Sequence, residues 1–117
     1  MDRTFSIDRS DLDARTTVLR VSGHMDARHA AKMLEDCATA RSARRDLILN
    51  LASVTFIASS GIGALLALSE EFRQSGLQLC LADPSPPVDA VLRLLNLDQF
   101  LRIESSEQSA VQGLRAA

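Results

Sequence analysis

The feature that most constrains the fold is a short apolar run, DLILNL at Asp46–Leu51, which comes shortly before a junction rich in serine and glycine. Apolar side chains at consecutive positions predict a strand covered on both faces, as the central strand of a parallel sheet is. Val54, Phe56 and Ile57 continue the apolar character to the junction at Ser59–Gly63. Because such a strand needs covering layers on both sides, we expect an α/β architecture.

Other segments of the sequence also predict strands. Thr16–Ser22 alternates polar and apolar residues with β-branched enrichment, which predicts a half-buried strand, and we expect Gly23 to end it. Phe5 and Ile7, two residues apart, predict an earlier strand that pairs with it as an antiparallel hairpin. The last two predicted strands are Leu77–Ala82 and Leu101–Ile103.

Apolar stripes and cap residues predict helices between the strands. Asp26 is placed to cap the first helix, whose stripe runs from Ala30 to Ala38. The second helix follows the serine junction, and Gly76 is a good stop signal for it. On one side of this second helix we expect Ile62, Leu65, Leu66, Ser69 and Phe72.

Two more helices are predicted near the end of the chain. Ser85 is placed as a cap, and Pro86 follows where a first helical turn tolerates proline. Ser105 and Gln108 have the spacing of a capping box for the last helix. The leucines expected in the core are Leu47, Leu49, Leu51, Leu66 and Leu92.

The order β-β-α-β-α-β-α-β-α predicts one α/β domain over residues 1–117. Its sheet should be mixed but mostly parallel, with four or five strands, and flanked by helices. The loops that leave the carboxyl ends of parallel strands gather at one edge, where ligands or partners bind. Three loops should therefore converge: Gly23–Asp26, Ser53–Gly61 and Asp83–Ser85.

Composition argues against several classes of function. The 13 basic and 15 acidic residues leave a net charge of −2, and the only aromatic residues are four Phe, so neither a basic face nor stacking platforms for nucleic acid are expected. No apolar stretch approaches the ~20 residues that span a bilayer, and the first ten residues are polar. Cys37 and Cys80 stand inside apolar patterns and match no metal spacing. We expect a cytoplasmic protein with reduced, buried thiols and no cofactor.

The Ser59–Gly63 junction has both a structural and a functional interpretation. A serine there could cap the following helix through its hydroxyl. This does not explain Gly63, which costs a helix interior about 1 kcal/mol relative to alanine, nor the apolar residues on every side of Ile62–Leu68. A helix with apolar residues all round is deeply buried or contacts a partner. Phosphate on Ser59 would suit a helix N-terminus and add charge to such a contact.

A nucleophilic serine is one alternative. The elbow of serine hydrolases has glycine two residues before the nucleophile, whereas Ile57 stands two before Ser59. His24 and His29 could approach from the neighbouring loop, but two histidines near a serine are more often surface residues. The sequence therefore favours a binding protein over an enzyme.

Other chemistries match less well. A dinucleotide fingerprint needs a third glycine after Gly61 and Gly63, and Leu66 stands in its place. The two histidines with Asp26 make no recognised metal spacing. A phosphorylatable aspartate of the response-regulator kind would need an acidic residue where Ala58 stands.

The central segment Leu49–Leu66, LNLASVTFIASSGIGALL, closely resembles the motif of STAS domains, and more narrowly that of bacterial anti-sigma factor antagonists. Gly23–Asp26 matches the family's glycine-to-aspartate loop, and Leu92–Phe100 resembles its late helix and turn. The resemblance covers nearly the whole chain. It implies partner-binding residues at Asp26, Ala58, Ser59, Ser60, Gly61, Ile62 and Gly63.

The resemblance also implies a mechanism. The domain would bind an anti-sigma factor that is also a serine kinase, freeing a sigma factor. That kinase, which holds ATP and Mg²⁺, would phosphorylate Ser59, and a metal-dependent phosphatase of the PP2C type would reverse the modification. The family usually places an aspartate directly before the phosphoacceptor, and this sequence has Ala58. The alternative is therefore an unphosphorylated STAS scaffold or a subunit of a signalling or transport complex.

Overall fold

The protein is described by a computed structural model that places residues 5–116, and the elements below are those of this range. Its strands are β1 Ser6–Asp11, β2 Thr16–Met25, β3 Asp46–Ile57, β4 Leu79–Ala82 and β5 Ile103–Glu104. Its helices are α1 Ala27–Ser42, α2 Ser59–Gln74, α3 Pro86–Leu94 and α4 Glu107–Ala116, with a short 3-10 helix at Leu97–Gln99. The predicted order of strands and helices is confirmed.

The five strands form one mixed sheet whose spatial order follows the sequence, from β1 to β5. The β1 strand is antiparallel to β2, and every other neighbouring pair is parallel. In the middle of the sheet Leu49 lies between Leu19 on β2 and Leu81 on β4. The predicted central strand and the mostly parallel sheet are confirmed.

The prediction that Gly23 ends its strand is wrong. The β2 strand continues to Met25, which pairs with Ile57 at the end of an equally extended β3. Gly23 has a φ of 101°, a left-handed value that glycine adopts readily, and the register shifts between Gly23 and His24. The glycine therefore accommodates an irregularity within the ladder, and both strands reach the edge of the sheet where the serine junction lies.

The two faces of the sheet carry separate apolar layers, because alternate residues of a strand point to opposite sides. The larger layer packs α1, α2 and α3 against Leu19, Leu49 and Leu81, and it includes Cys37. The smaller layer packs α4 against residues such as Ile48 and Cys80. Both thiols are reduced and buried, as predicted.

One leucine expected in the core is not there. Leu47, Leu49, Leu51 and Leu92 are fully buried, but Leu66 is 36% exposed. In α2 the buried positions are led by Ile62, Leu65, Leu68 and Phe72. Leu66 follows Leu65 by one residue, which rotates it about 100° away from the core.

Two predicted caps differ in detail. Ser85 is the N-cap residue of α3, but its hydroxyl donates to the Val54 carbonyl at 2.5 Å instead of capping the helix. Before α4 the capping hydroxyl belongs to Ser106, which accepts from the Ser109 amide at 3.0 Å, and not to Ser105. The sequence pattern located this cap one residue too early.

Helix α4 is also fixed to its face of the sheet by a half-buried polar network. The Arg20 guanidinium donates to both carboxylate oxygens of Glu107, at 2.8 and 2.9 Å. The Asn50 amide donates to the same carboxylate at 2.6 Å. The hydrogen bonds from Arg20, together with the one from Asn50, hold the pKa of Glu107 below its ordinary value of 4.5.

At the amino ends of the parallel strands, Arg45 joins several backbone segments. Its guanidinium donates to the Thr17 hydroxyl at 2.7 Å and to the carbonyls of Ala14 and Thr16 at 3.0 Å, and it also contacts the Asp13 carbonyl. Polar groups at this end of the sheet are therefore hydrogen-bonded within the protein.

Within residues 5–116, no helix combines the length and the apolar character needed to cross a bilayer. The assignment of residues 1–117 to one domain stays a prediction.

Candidate functional site

Three chain segments meet at the carboxyl ends of the strands. The Ala58 amide donates to the Met25 carbonyl at 2.9 Å, which joins the start of α2 to the end of β2. The Ser85 amide donates to the Leu51 carbonyl at 3.2 Å, which joins the loop before α3 to β3. The structure thus brings together the three loops that the parallel topology predicted to converge.

Ser59 and Ser60 are the first two residues of α2, and both are exposed. The N-cap residue is Ala58, with no side-chain hydrogen bond to the helix, so the prediction of a capping serine hydroxyl is wrong. The cause is the position of the helix start: the extended cap residue is the alanine, and both serines already lie within the first turn. Their hydroxyls have no hydrogen-bond partner among the described residues and face solvent.

Gly61 is required by close packing. A Cβ atom at this position would lie 2.7 Å from Cγ of Met25, 2.8 Å from Cγ1 of Ile57 and 3.1 Å from the Met25 carbonyl oxygen. The first turn of α2 therefore rests directly on the end of β2. This packing fixes the position of Ser59 and Ser60 relative to the loop that contains Asp26.

Gly63, two residues further on, is in the opposite situation. It is exposed, and a Cβ atom there would meet nothing within 4 Å. Nothing in the described part of the chain requires glycine at this helical position.

Asp26 and the two histidines form a structural turn. The Asp26 carboxylate accepts from the His29 amide at 3.0 Å, which confirms Asp26 as the cap of α1. Nδ1 of His29 donates to the His24 carbonyl at 2.8 Å and lies 3.2 Å from the Asp26 carboxylate. The buried His29 ring stacks on Phe5 at a centroid distance of 4.0 Å. His29 is therefore engaged in holding the loop.

The second histidine of this turn contacts a neighbouring aromatic side chain. His24 is exposed, and its ring contacts Phe56 edge-on at 5.8 Å. Among residues 5–116, no group of three or more His, Cys, Asp or Glu side chains is arranged to hold a metal ion. In this turn, Asp26, His29 and the His24 carbonyl instead contact one another.

The site carries more exposed apolar surface than the sequence indicated. Phe56, at the end of β3, is 52% exposed, and Leu66 lies on the outer side of α2. Leu94, Leu95 and Phe100 are also exposed, but they follow α3 and lie farther from the two serines. The run of apolar residues at Ile62–Leu68 predicted an apolar face on α2. No sequence pattern predicted an exposed Phe100, which entered the analysis only as the last residue of the segment Leu92–Phe100 that resembles the family.

The seven residues predicted to bind a partner have different environments. Asp26 and Ala58 are half-buried, and Ser59, Ser60 and Gly63 are exposed. Gly61 and Ile62 are buried. The site therefore presents a pair of serines, a bare stretch of helix and adjacent apolar side chains, an arrangement suited to contact with another protein.

Comparison with known proteins identifies the class. A family model for the STAS domain matches residues 9–110, and the chain belongs to the STAS domain family. A curated relative, the anti-sigma F factor antagonist of Paenibacillus polymyxa, is 29% identical over 100 residues, covering 83% of this chain and 85% of that protein.

Solved structures show the same fold. The anti-sigma factor antagonist SpoIIAA in its unphosphorylated form superposes with a TM-score of 0.79 at 24% identity, over 96% of this chain and 98% of that one. The phosphorylated form of the Bacillus SpoIIAA gives a TM-score of 0.71 at 23% identity, over 92% and 97% of the two chains. Antagonists of this kind are regulatory binding proteins rather than enzymes, which confirms the prediction of a binding protein.

Proposed function

We propose that this protein is a cytoplasmic anti-sigma factor antagonist: it binds an anti-sigma factor that is also a serine kinase, releases a sigma factor, and is switched off when Ser59 is phosphorylated. The observation that carries the proposal is the exposed Ser59 in the first turn of α2, whose hydroxyl has no partner within residues 5–116 and lies beside an apolar surface. The likeness to antagonists of anti-sigma factors, one of them solved in a phosphorylated form, supports it.

The proposed switch follows from electrostatics. The kinase would transfer the γ-phosphoryl group of ATP to Oγ of Ser59: the new O–P bond forms, the bond to the bridging oxygen of ADP breaks, and the hydroxyl proton leaves to a base on the kinase. A phosphate carries about −1.5 to −2 charges, which the free amides of a helix N-terminus tolerate. The fold would stay intact, but the apolar surface that meets the partner would become negatively charged.

Ala58 should affect the rate of transfer rather than its result. An aspartate at this position could orient the serine hydroxyl for the kinase, and its absence would slow phosphorylation. The same absence removes a like charge close to the phosphate, so the modified state should be better tolerated. We expect Ala58→Asp to speed phosphorylation by the cognate kinase, as measured by incorporation of labelled phosphate.

The switch is tested with purified variants and the anti-sigma factors of the source organism. Ser59→Ala should retain binding, whereas Ser59→Asp should weaken it by about tenfold or more, because charge enters the interface. Ser42→Asp, at the exposed end of α1, is the control for added charge and should bind normally. Ser60→Ala should leave phosphorylation intact while Ser59→Ala abolishes it.

A different result would favour the second candidate. If Ser59→Asp binds as tightly as the parent and no kinase of the source organism modifies Ser59, the switch is absent. Ala58 is the observation that favours an unphosphorylated scaffold, whose captured partner would be a signalling or transport protein.

A further inference from the structure

The second half of β3 is less regular than the first. The β4 strand pairs with β3 over Leu47–Asn50 and ends there. The ladder with β2 continues beyond Asn50, but β3 gains one residue on β2 before Ser53 and another before Phe56. Such bulges disrupt a ladder locally. This irregular half of β3 leads, two residues after its end, to the exposed Ser59.

Beyond the end of β4, Ser85 joins this half of β3 to the loop before α3. Its amide donates to the Leu51 carbonyl at 3.2 Å, and its hydroxyl donates to the Val54 carbonyl at 2.5 Å. The two carbonyls lie on either side of Ala52, in the segment where the register with β2 first shifts. Ser85 and Val54 are both buried, so the Val54 carbonyl would be left unsatisfied if it lost this donor.

The backbone around Ser85 is held in one conformation by its neighbours. Ser85 is the N-cap residue of α3, where a serine side chain normally accepts from an amide of the first turn, but here it makes no such bond. Pro84 precedes it, and Pro86 and Pro87 follow it. Proline fixes its own φ and favours extended backbone in the residue before it, as observed for Ser85 at ψ 157°. The sequence thus presents the Ser85 hydroxyl to the strand instead of to its own helix.

The restraint reaches the serine junction through packed residues. Val54 and Ile57 are buried in the larger apolar layer. Ile57 packs against the first turn of α2 so closely that a Cβ atom on Gly61 would lie 2.8 Å from its Cγ1. Because this turn rests on Ile57, a shift of the end of β3 would move the turn that carries Ser59.

We infer that Ser85 is a positioning residue for Ser59: its hydroxyl fixes the end of β3 and thereby the place at which the first turn of α2 presents the Ser59 hydroxyl to the kinase. The inference rests on the proposed function for the identity of the reaction. Phosphoryl transfer depends mainly on how the attacking hydroxyl is placed, so a small displacement of the serine slows it. Ser85 acts on this step without contact with the kinase, because it is buried.

Amide hydrogen exchange tests the positioning without any partner. The Ala58 amide, which donates to the Met25 carbonyl at 2.9 Å, reports on the junction, and the Leu49 amide reports on the centre of the sheet. Ser85→Ala should speed exchange at Ala58 by about tenfold relative to Leu49, because one restraint on the end of β3 is lost. Thr17→Val is the matched control, since it removes a buried, hydrogen-bonded hydroxyl at the opposite end of the sheet. Both variants should melt roughly 4–8 °C below the parent, but Thr17→Val should leave the exchange ratio unchanged.

Two further variants separate the hydrogen bond from the volume of the side chain. Ser85→Thr keeps the hydroxyl and should restore the exchange ratio of the parent. Ser85→Cys fills about the same space but offers only a weak S–H donor, so it should behave like Ser85→Ala.

Kinetics of phosphorylation test the effect on the proposed switch, with the anti-sigma factor kinase of the source organism. Ser85→Ala and Ser85→Cys should each lower kcat for phosphorylation of Ser59 by about tenfold and change KM by less than about twofold, as expected when only the placement of the reacting group is lost. Ser85→Thr and Thr17→Val should keep the kcat of the parent. The assays are run well below the melting temperatures, so that every variant is folded.

The possible failures are distinguishable. If Ser85→Ala speeds exchange at Ala58 and Leu49 equally, Ser85 supports the whole fold and its positioning role is overturned. The role is also overturned if the junction loosens but kcat stays at the value of the parent. Both results leave the proposed function standing, because Ser59 is still phosphorylated. If no anti-sigma factor of the source organism phosphorylates the parent, the proposed function falls, and the assignment of Ser85 to phosphoryl transfer falls with it.

Discussion

The two ends of the parallel strands differ in how their polar groups are satisfied. At the amino ends, Arg45 donates to the Thr17 hydroxyl and to backbone carbonyls, and the Asp13 carboxylate accepts from the Arg15 and Thr16 amides at 2.8 Å each. At the carboxyl ends, the hydroxyls of Ser59 and Ser60 have no partners among the described residues. At the same end the side chain of Phe56 is 52% exposed.

This difference separates stability from binding. Polar groups that are paired within the protein stabilise the fold and offer little to a partner. Unpaired hydroxyls beside exposed apolar surface contribute little to folding and remain available to a partner. The comparison therefore predicts that removing Arg45 at the amino end changes the free energy of unfolding, whereas a charged residue in place of Ser59 at the carboxyl end changes the affinity for the partner.

The largest effect is expected in the layer that supports both ends. Leu49→Ala removes a fully buried side chain at the centre of the sheet and should lower the free energy of unfolding by about 2–5 kcal/mol. Urea denaturation measures it. A loss below about 0.5 kcal/mol, typical of surface positions, would mean that Leu49 is not in the core.

A smaller effect should appear at the amino end alone. Arg45→Met leaves the buried Thr17 hydroxyl and the carbonyls of Asp13 and Ala14 without the Arg45 donor, which should cost about 1–3 kcal/mol. Binding of the anti-sigma factor should not change in the folded fraction. Arg15→Met is the control, since Arg15 is exposed and its side chain has no hydrogen bond within residues 5–116. Weakened binding by Arg45→Met at unchanged stability would break the separation between the two ends.

The smallest effect concerns the attachment of α4 and depends on pH. The Arg20 hydrogen bonds lower the pKa of Glu107, so the ionised carboxylate stabilises the folded state. Because the folded pKa lies below the unfolded one, this stabilisation is present above about pH 4.5 and disappears as pH falls through the folded pKa. Glu107→Gln should cost about 1 kcal/mol at pH 7, and less in acid.

Urea titrations of the parent and Glu107→Gln between pH 3 and pH 7 check this dependence. Arg20→Met supplies the control background, in which Glu107→Gln should have a smaller effect at pH 7, because only the Asn50 hydrogen bond to the carboxylate remains. A difference between parent and variant that stays constant down to pH 3 would show that Arg20 does not control this carboxylate.

Most of the fold followed from local patterns in the sequence. Consecutive apolar residues identified β3, and the cap at Asp26 located the start of α1. The extension of β2 past Gly23 was not predictable, because a glycine that breaks one strand accommodates a bulge in another, and the register with β3 decides between them. Leu66 was misplaced because α2 is apolar on several sides, so the sequence did not determine which side faces the sheet.

The candidate site was predictable where topology determines it. Parallel strands bring their carboxyl ends to one edge, so the meeting of the Asp26 loop with Ser59 was expected. The exact first residue of α2 was not predictable. Alanine and serine both occur before helices, and only the backbone conformation shows that Ala58 is the cap residue and that Ser59 already belongs to the first turn. The exposed Phe100 lies beside the outer side of α2, a tertiary arrangement that no local pattern encodes.

The two buried thiols allow the opening of each apolar layer to be followed separately by chemical labelling. Burial raises the pKa of Cys80 to about 11 and that of Cys37 further still, so neither sulfur is a thiolate at neutral pH. Only the thiolate reacts, so a thiol reagent labels each cysteine after its own layer has exposed it. Cys80, on β4, lies under α4, whereas Cys37 is a residue of α1 that packs in the larger layer. If Cys80 is labelled before Cys37, then α4 leaves the sheet while the larger apolar layer on the other face is still packed.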